Sequence, residues 1–384
     1  MDNIGSQSSR AHAPFLQASA ANRWSNCPGS AVVATAYPNQ DTVFTREGTT
    51  AHEVAEQYVN CRLEGMGEPQ YRRMRDQVTP EMEECARGYA DYVQEQIKSD
   101  DAVVFLERRV DYSPWAPGGF GTSDCTILQD NEAVIIDYKY GQGVAVEAEG
   151  NEQLRLYALG VLNEFGFMYD IDVFHMHIYQ PRLNNISSAS ISKEELLQWA
   201  EEVIEPAAEE VLSGDAKFHA GVWCRFCPHA GRCRELHTTC TEIVESYDIR
   251  VKAPVMADWE VAKVLEMEPV ITLWLKRVKE QAMTKLLNGD SVPGYKLVEG
   301  RGGNRKWTDE LKVAEALKDA GYQPGDITET KLLSPAAMDK SIGKAKVAEL
   351  LGDLIEKSAG APTVVPASDK RPAYSRADEF ENLN

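Results

Sequence analysis

The chain has 384 residues, 43% of them hydrophobic, and its 60 acidic against 40 basic side chains give a formal net charge of -20. That length buries a sizeable core and suggests two or three domains, while the charge argues against non-specific coating of nucleic acid, which needs local positive potential. No run of 18 or more apolar residues exists, and "MDNIGSQSSRAHAPFLQASAANRW" has no basic segment followed by an apolar one, so neither a membrane span nor a signal peptide is expected. A cytoplasmic location is the expectation, where eight cysteines read as reduced thiols or metal ligands rather than a disulfide framework. A nucleic-acid enzyme stays compatible with the charge if its cations line one groove. Arg72, Arg73, Arg75, Arg108, Arg109, Arg155, Arg225, Arg232, Arg234, Lys276, Arg277 and Lys279 are the candidates, although most side chains of this kind are simply solvated.

Residues 1–44 read as an irregular arm with one short helix around "ASAANRWSNC". "TREGTTAHEVAEQYVNCRLEG" predicts a helix, with Thr50 and Glu53 spaced as a capping box and Gly65 or Gly67 as its stop. "TPEMEECARGYADYVQEQIKS" predicts a second, with Pro80 in its first turn. The period then changes: "AVVFLERRVDYS" and "GTSDCTILQDNEAVIIDYKYG" carry β-branched and aromatic runs around a polar turn, which predicts strands and a hairpin. Helix returns in "NEQLRLYALGVLNEFG", a strand follows in "IDVFHMHIYQPRL", and "SKEELLQWAEEVIEPAAEEVLSG" is helix again, capped by Ser192 and Glu195.

The expected division is therefore an N-terminal arm (1–44) carrying Cys27, a mixed α/β domain (45–240) closed by a cysteine triplet, a mainly helical region with a small hairpin (245–365), and a loosely held tail (366–384). The helical region opens with a long helix over "DWEVAKVLEMEPVITLWLKRVKEQAMTKLLNG", and "GYKLVEGRGGNRKW" reads as the hairpin. Trp274, Leu275 and Val278 form an apolar stripe on that helix, more often core than a partner or oligomer interface.

Chemistry concentrates in "AVIIDYKYG", where an apolar run ends in Asp137 and Lys139. A symmetric turn between Asp130 and Asn131 pairs Leu128 with Ala133, Asp124 with Asp137, and Thr122 with Lys139. Residues two apart on a strand share a face, so Asp124, Asp137 and Lys139 are expected on one surface. Opposed carboxylates are destabilising unless something positive lies between them, and a hard divalent cation such as Mg²⁺ is held by such a pair. A same-face surface ion pair is the plain alternative. Against it, Asp137 emerges from a core run, the glycines of "GGFGTSD" precede Asp124, and Gln153 and Tyr157 share a helical face just downstream. Upstream, His52 and Glu56 share a face of the predicted helix.

Cys224, Cys227 and Cys233 have C-x₂-C-x₅-C spacing, a strong metal signal in a reduced compartment. Two residues compete to be the fourth ligand. His237 would complete a Cys₃His zinc site, whereas Cys27 would complete an all-thiolate site suited to an iron–sulfur cluster.

The ordered series "GTTAHEVAE", "GTSD", "IIDYKYG" and "QLRLYALG" resembles the RecB-like branch of the PD-(D/E)XK nuclease superfamily. The whole chain, from "HAPFLQASAANRWSNCPGS" through "WCRFCPHAGRCREL" to "SDKRPAYS", resembles a phage and prophage family of uncharacterised RecB-type nucleases. The resemblance implies a restriction-endonuclease-like core, a mixed sheet flanked by helices, with a metal-cluster cap and a C-terminal α-rich extension. It implies that His52, Asp124 and Asp137 bind catalytic Mg²⁺ or Mn²⁺, that Lys139 polarises the attacking water, and that Gln153 and Tyr157 line the cleft. Likeness to AddB-type nucleases implies a [4Fe-4S] cluster on Cys27, Cys224, Cys227 and Cys233 in preference to zinc. The implied function is a metal-dependent deoxyribonuclease, an exonuclease before an endonuclease, acting on DNA in phage recombination or repair beside a single-strand annealing protein. The other reading is a non-catalytic, cluster- or zinc-bearing DNA-binding or assembly module with a degenerate nuclease site.

Overall fold

The computed structural model describes residues 16–37, 43–69, 77–246, 257–298 and 310–319, with a few isolated positions beyond them. The chain divides into two units, 1–298 and 299–384. In the second, helix α10 (Glu310–Asp319) is the main described element; the expected tail at 366–384 lies outside the described residues.

The first unit is built on one five-stranded mixed sheet in the order β1-β2-β3-β4-β5. Strands β1 (Val103–Asp111), β2 (Phe120–Gln129) and β3 (Glu132–Tyr138) form an antiparallel meander. Strand β4 (Val173–Gln180) runs parallel to β3, and β5 (Asn185–Ser192) closes the edge antiparallel to β4. Parallel pairing of β3 and β4 requires a crossover, which helix α5 (Glu152–Phe165) supplies. β3 is buried on both sides after its first residue, as its continuous apolar run foretells.

Two apolar layers cover the sheet. On one face Ala133, Ile135, Phe174, Met176 and Ile178 pack with Leu154, Leu156 and Val161 of α5. On the other, Ile127, Val134, Ile136 and Tyr138 pack with helices α3 (Val43–Leu63) and α4 (Pro80–Gln96). α4 begins as expected, Thr79 accepting from the Met82 amide before Pro80. Helix α6 (Lys193–Trp199) carries the expected Ser192–Glu195 capping box and continues through a π-helical turn into α7 (Glu205–Ser213).

Three expectations change. Thr50 does not cap α3: the helix starts seven residues earlier, and the Thr50 hydroxyl donates to the Arg46 carbonyl inside it. In the described part of the N-terminal arm, the expected short helix is present as a 3₁₀ turn (Ala18–Ala20) and α1 (Ala21–Asn26), but an unexpected α2 (Pro28–Ala34) follows, and Leu16, Ala18, Ala21 and Trp24 lie in the first core layer. Strand β5, "NISSASIS", has no strand-like hydrophobic run, and pairing with β4 forms it.

Beyond the sheet, a cysteine-bearing cap of 3₁₀ turns (Val222–Phe226 and Ala230–Arg232) leads into helix α8 (Arg234–Ser246). Helix α9 (Asp258–Leu287), expected to open the C-terminal region, belongs to the first unit and packs on this cap through Val270, Ile271, Leu273 and Trp274. A Cβ on Gly231 would lie 2.6 Å from the Arg277 carbonyl oxygen, so the cap approaches α9 as only glycine permits. The expected hairpin at 294–307 lies largely outside the described residues; a Val292–Tyr295 bridge forms at its start. Among the described residues no helix is long and apolar enough to cross a membrane.

Candidate active site and thiol cluster

The hairpin register is the one the turn dictates, Leu128 opposite Ala133, but the ladder stops at Cys125–Ile136. Instead of a backbone pair between Asp124 and Asp137, the Asp124 carboxylate accepts the Tyr138 amide at 2.7 Å. Thr122 and Lys139 do not pair either: Thr122 faces Arg109 on β1, and the Lys139 amide donates to the Tyr179 carbonyl on β4. Each strand follows its other neighbour, so β2 and β3 part where their acidic side chains sit.

That parting lets both helix layers reach the strand ends. From α3, His52 brings Nδ1 to 3.4 Å from Asp124 Oδ1 and 3.8 Å from Glu107 Oε1. From α5, Gln153 and Tyr157, one turn apart, meet Asp137 and Lys139. The Lys139 ammonium lies 2.8 Å from Asp137 Oδ2 and donates to Asp137 Oδ1 and Gln153 Oε1, both at 3.1 Å. The Gln153 amide donates to Asp137 Oδ1 at 3.2 Å and to the Tyr157 hydroxyl at 2.8 Å. Gly121 makes room for this arrangement, because a Cβ there would lie 2.6 Å from the Tyr157 ring. All six predicted site residues of the nuclease series therefore come together.

Glu107 was not predicted. Along the β1–β2 register it falls opposite Asp124, and its φ of 45° breaks the ladder between Leu106–Cys125 and Arg108–Ser123. A left-handed backbone at a glutamate is costly and persists only where surrounding structure enforces it. Its carboxylate also raises the pKa of Glu56, one turn along from His52, in addition to the effect of burial. The only sequence signal was "LERRV", a charge pattern normal for a half-exposed strand. His52, Glu107 and Asp124 offer ligand atoms that all lie within 4.8 Å of one another. Glu107 thus joins two of the three expected metal ligands, His52 and Asp124, in a tight triad.

The electrostatics match a cation site. Burial alone would lower the His52 pKa, but the Asp124 charge and hydrogen bond, helped by Glu107 and Asp137, raise it to about 10. Asp137 is raised chiefly by burial, which the adjacent Lys139 opposes and Asp124 reinforces. Lys139 is raised because Asp137 outweighs the effect of its own burial. Asp137 Oδ2 is fully buried and, despite the nearby ammonium, accepts no well-formed hydrogen bond. Buried carboxylate oxygens seldom stay in that condition without a role as ligand or strained acceptor. A hard divalent cation fits this set of carboxylate oxygens and imidazole nitrogen.

The cap gathers Cys27, from the α1–α2 junction, with Cys224, Cys227 and Cys233. Cys27 Sγ accepts the His219 amide at 3.4 Å, which ties the N-terminal helices to the cap. Burial raises the Cys27 and Cys227 thiols, and raises Cys224 to about 11. In each case the other thiols add to the shift, although Arg23 opposes it at Cys227. The His237 ring packs on Trp274 at 5.5 Å between centroids, and its amide donates to the Cys233 carbonyl. Cys240 is buried between cap and α9. Cys125 lies beneath the second core layer, with Cys85 at its edge.

Sheet, splayed strand ends and thiol cap define a mixed α/β protein with a candidate cation site and a separate cysteine centre. The chain belongs to the family described as "Protein of unknown function (DUF2800)", whose profile matches residues 12–372. It is also similar to a solved structure described as "Crystal structure of SSO0001", at 14% identity over 51% of this chain and 98% of that one, with a TM-score of 0.23. A score that low carries no argument about fold or function.

Proposed function

We propose that this chain is a metal-dependent deoxyribonuclease with a RecB-like PD-(D/E)XK core, held together by an iron–sulfur cap. The observation that carries the reading is the contiguity of two sets of side chains: a His52–Glu107–Asp124 ligand group, and a buried Asp137 tied to Lys139, Gln153 and Tyr157. His52, Glu107, Asp124 and Asp137 are the residues that would hold Mg²⁺ or Mn²⁺. Such an ion supplies Lewis acidity to a scissile phosphodiester and lowers the pKa of a bound water.

The remaining steps belong to the protein. Lys139, kept protonated by Asp137, stabilises charge that builds on the phosphate oxygens. Gln153 fixes the lysine and the Asp137 carboxylate together, and Tyr157 fixes Gln153 from the next helical turn. Exonuclease before endonuclease, and a role in phage recombination beside an annealing protein, rest on the family resemblance alone.

For the cap, Cys27, Cys224, Cys227 and Cys233 are proposed as ligands of a [4Fe-4S] cluster. The Cys27 thiol is brought to the cap that carries the triplet, where it accepts the His219 amide. His237 being packed on Trp274 also favours Cys27 as fourth ligand.

Purified protein with Mg²⁺ or Mn²⁺ is expected to degrade linear DNA, and Asp124→Ala or Lys139→Ala to abolish this while the fold is kept. Activity that survives both substitutions removes the site. Inactivity of the wild type with intact DNA binding supports the non-catalytic module. Protein purified without oxygen is expected to be brown and to contain iron; a colourless, zinc-containing preparation replaces the cluster with zinc.

A further inference from the structure

We infer that the cysteine cap and the C-terminal half of α9 together form a binding groove for single-stranded nucleic acid, with Phe226 as a base-stacking platform between cationic walls. The inference rests on the reading of the chain as a DNA-handling protein, and it places substrate engagement on a surface separate from the carboxylate site.

Charge segregation is the first observation. In a chain of net charge -20, residues 217–234 hold four cations and no acid, and residues 269–287 hold four cations and one acid, Glu280. The fold brings these two segments into contact. The Arg277 guanidinium donates to the Arg225 carbonyl, and the Gly231 turn presses on the α9 backbone. A phosphate chain needs such a local field, because the molecule as a whole repels it.

Shape is the second. A groove of about 440 Å³ runs between the 3₁₀ turn of Val222–Phe226 and α9, lined by Arg225, Phe226, Lys276 and Arg277 with no acidic residue. A second depression of about 540 Å³ adjoins it, sharing Phe226 and Arg277 and adding Arg23 together with Glu280, which pairs with Arg277 at 2.8 Å. Phe226 is 69% exposed and Val222 63%, which is unusual for apolar side chains set among cations. The Arg225 guanidinium lies 5.7 Å from the Phe226 centroid, flanking the ring and leaving most of it exposed. A positively charged track with an exposed aromatic ring is the arrangement that binds single strands, the cations following phosphates and the ring stacking a base. A duplex offers phosphates but no free base face to Phe226.

The test is fluorescence anisotropy with a labelled, phosphorothioate-linked 20-mer in EDTA, so that binding is read without cleavage. The full chain is expected to bind the single strand. The double variant Arg225→Glu/Lys276→Glu is expected to bind at least about tenfold more weakly. Its log K against log[salt] slope should shrink by about 1.4, two single-strand phosphate contacts at about 0.7 each. Phe226→Ala is expected to cost about tenfold. If the Arg225 change disturbs the cap, seen as altered melting or cap absorbance, Lys276→Glu/Lys279→Glu on the exposed side of α9 replaces it. Wild-type affinity in a folded charge-reversal variant overturns the groove. Duplex binding as tight as single-strand binding, and indifferent to Phe226→Ala, overturns the single-strand assignment. Loss of nuclease activity with these binding results intact counts against the catalytic reading alone.

Discussion

Replacing Lys139 with methionine keeps the length of the side chain but strips Asp137 of its ammonium. The Asp137 side chain is 3% exposed and that of Lys139 29%, so a carboxylate is left in the core beside Asp124 with only the Gln153 amide as a donor. Breaking a buried pair by removing one partner costs about 3–5 kcal/mol; partial exposure of the lysine reduces this to about 2–3 kcal/mol. The sign of the pH dependence follows. A carboxyl whose folded pKa is raised destabilises the fold once it ionises, so the penalty shrinks as pH falls from 7 towards 4 and Asp137 takes up a proton. Urea denaturation in EDTA across that range measures it, and Asp137→Asn/Lys139→Met should recover most of the loss at pH 7. A single variant within about 0.5 kcal/mol of wild type at both pH values would refute the description of Asp137 as a buried, lysine-dependent carboxylate.

Glu107→Gln is expected to weaken Mn²⁺ binding by about tenfold or more in calorimetric titration while leaving the melting temperature in EDTA nearly unchanged, since it keeps the left-handed residue but removes a ligand charge. Because the His52 pKa stands at about 10, its imidazole is protonated at pH 8 and must lose that proton to bind a cation. About one proton should be released per ion bound, read from titrations in buffers of different ionisation enthalpy, and apparent affinity should rise with pH until about 10. His52→Gln should release none. Gly121→Ala drives a methyl to 2.6 Å from the Tyr157 ring, with an expected loss of about 1–3 kcal/mol in urea denaturation and reduced activity, because Tyr157 positions Gln153.

Local sequence determined much of this protein. Period-two and period-3.6 patterns placed β1 to β4, α4, α5 and the start of α6, and the capping chemistry of Thr79, Asn151 and Ser192 operates at the expected helix starts. The six residues expected to form the site were legible because each sits on or beside a regular element, where spacing dictates which side chains share a face. The burial of the N-terminal arm was not legible because alanine-rich, short-period sequence gives little sign of it; Trp24 and Leu16 are core residues only because the sheet and α5 lie beneath them. Strand β5 failed for the related reason that its serines form a strand only when β4 offers its free edge.

Only the tertiary structure decided the centre of the site. Register arithmetic carried the Asp124–Asp137 pair one step too far, because a two-strand calculation takes no account of the other neighbours that pull β2 towards β1 and β3 towards β4. Where the strands part, α3 delivers His52 and a left-handed residue on β1 delivers Glu107. The cysteine spacing singled out the triplet, yet the joining of Cys27 to it from almost two hundred residues away, and the meeting of two basic segments around Phe226, depend on long-range packing. Local chemistry dictates which way a side chain faces on its own element, and competition among elements dictates what it finds there.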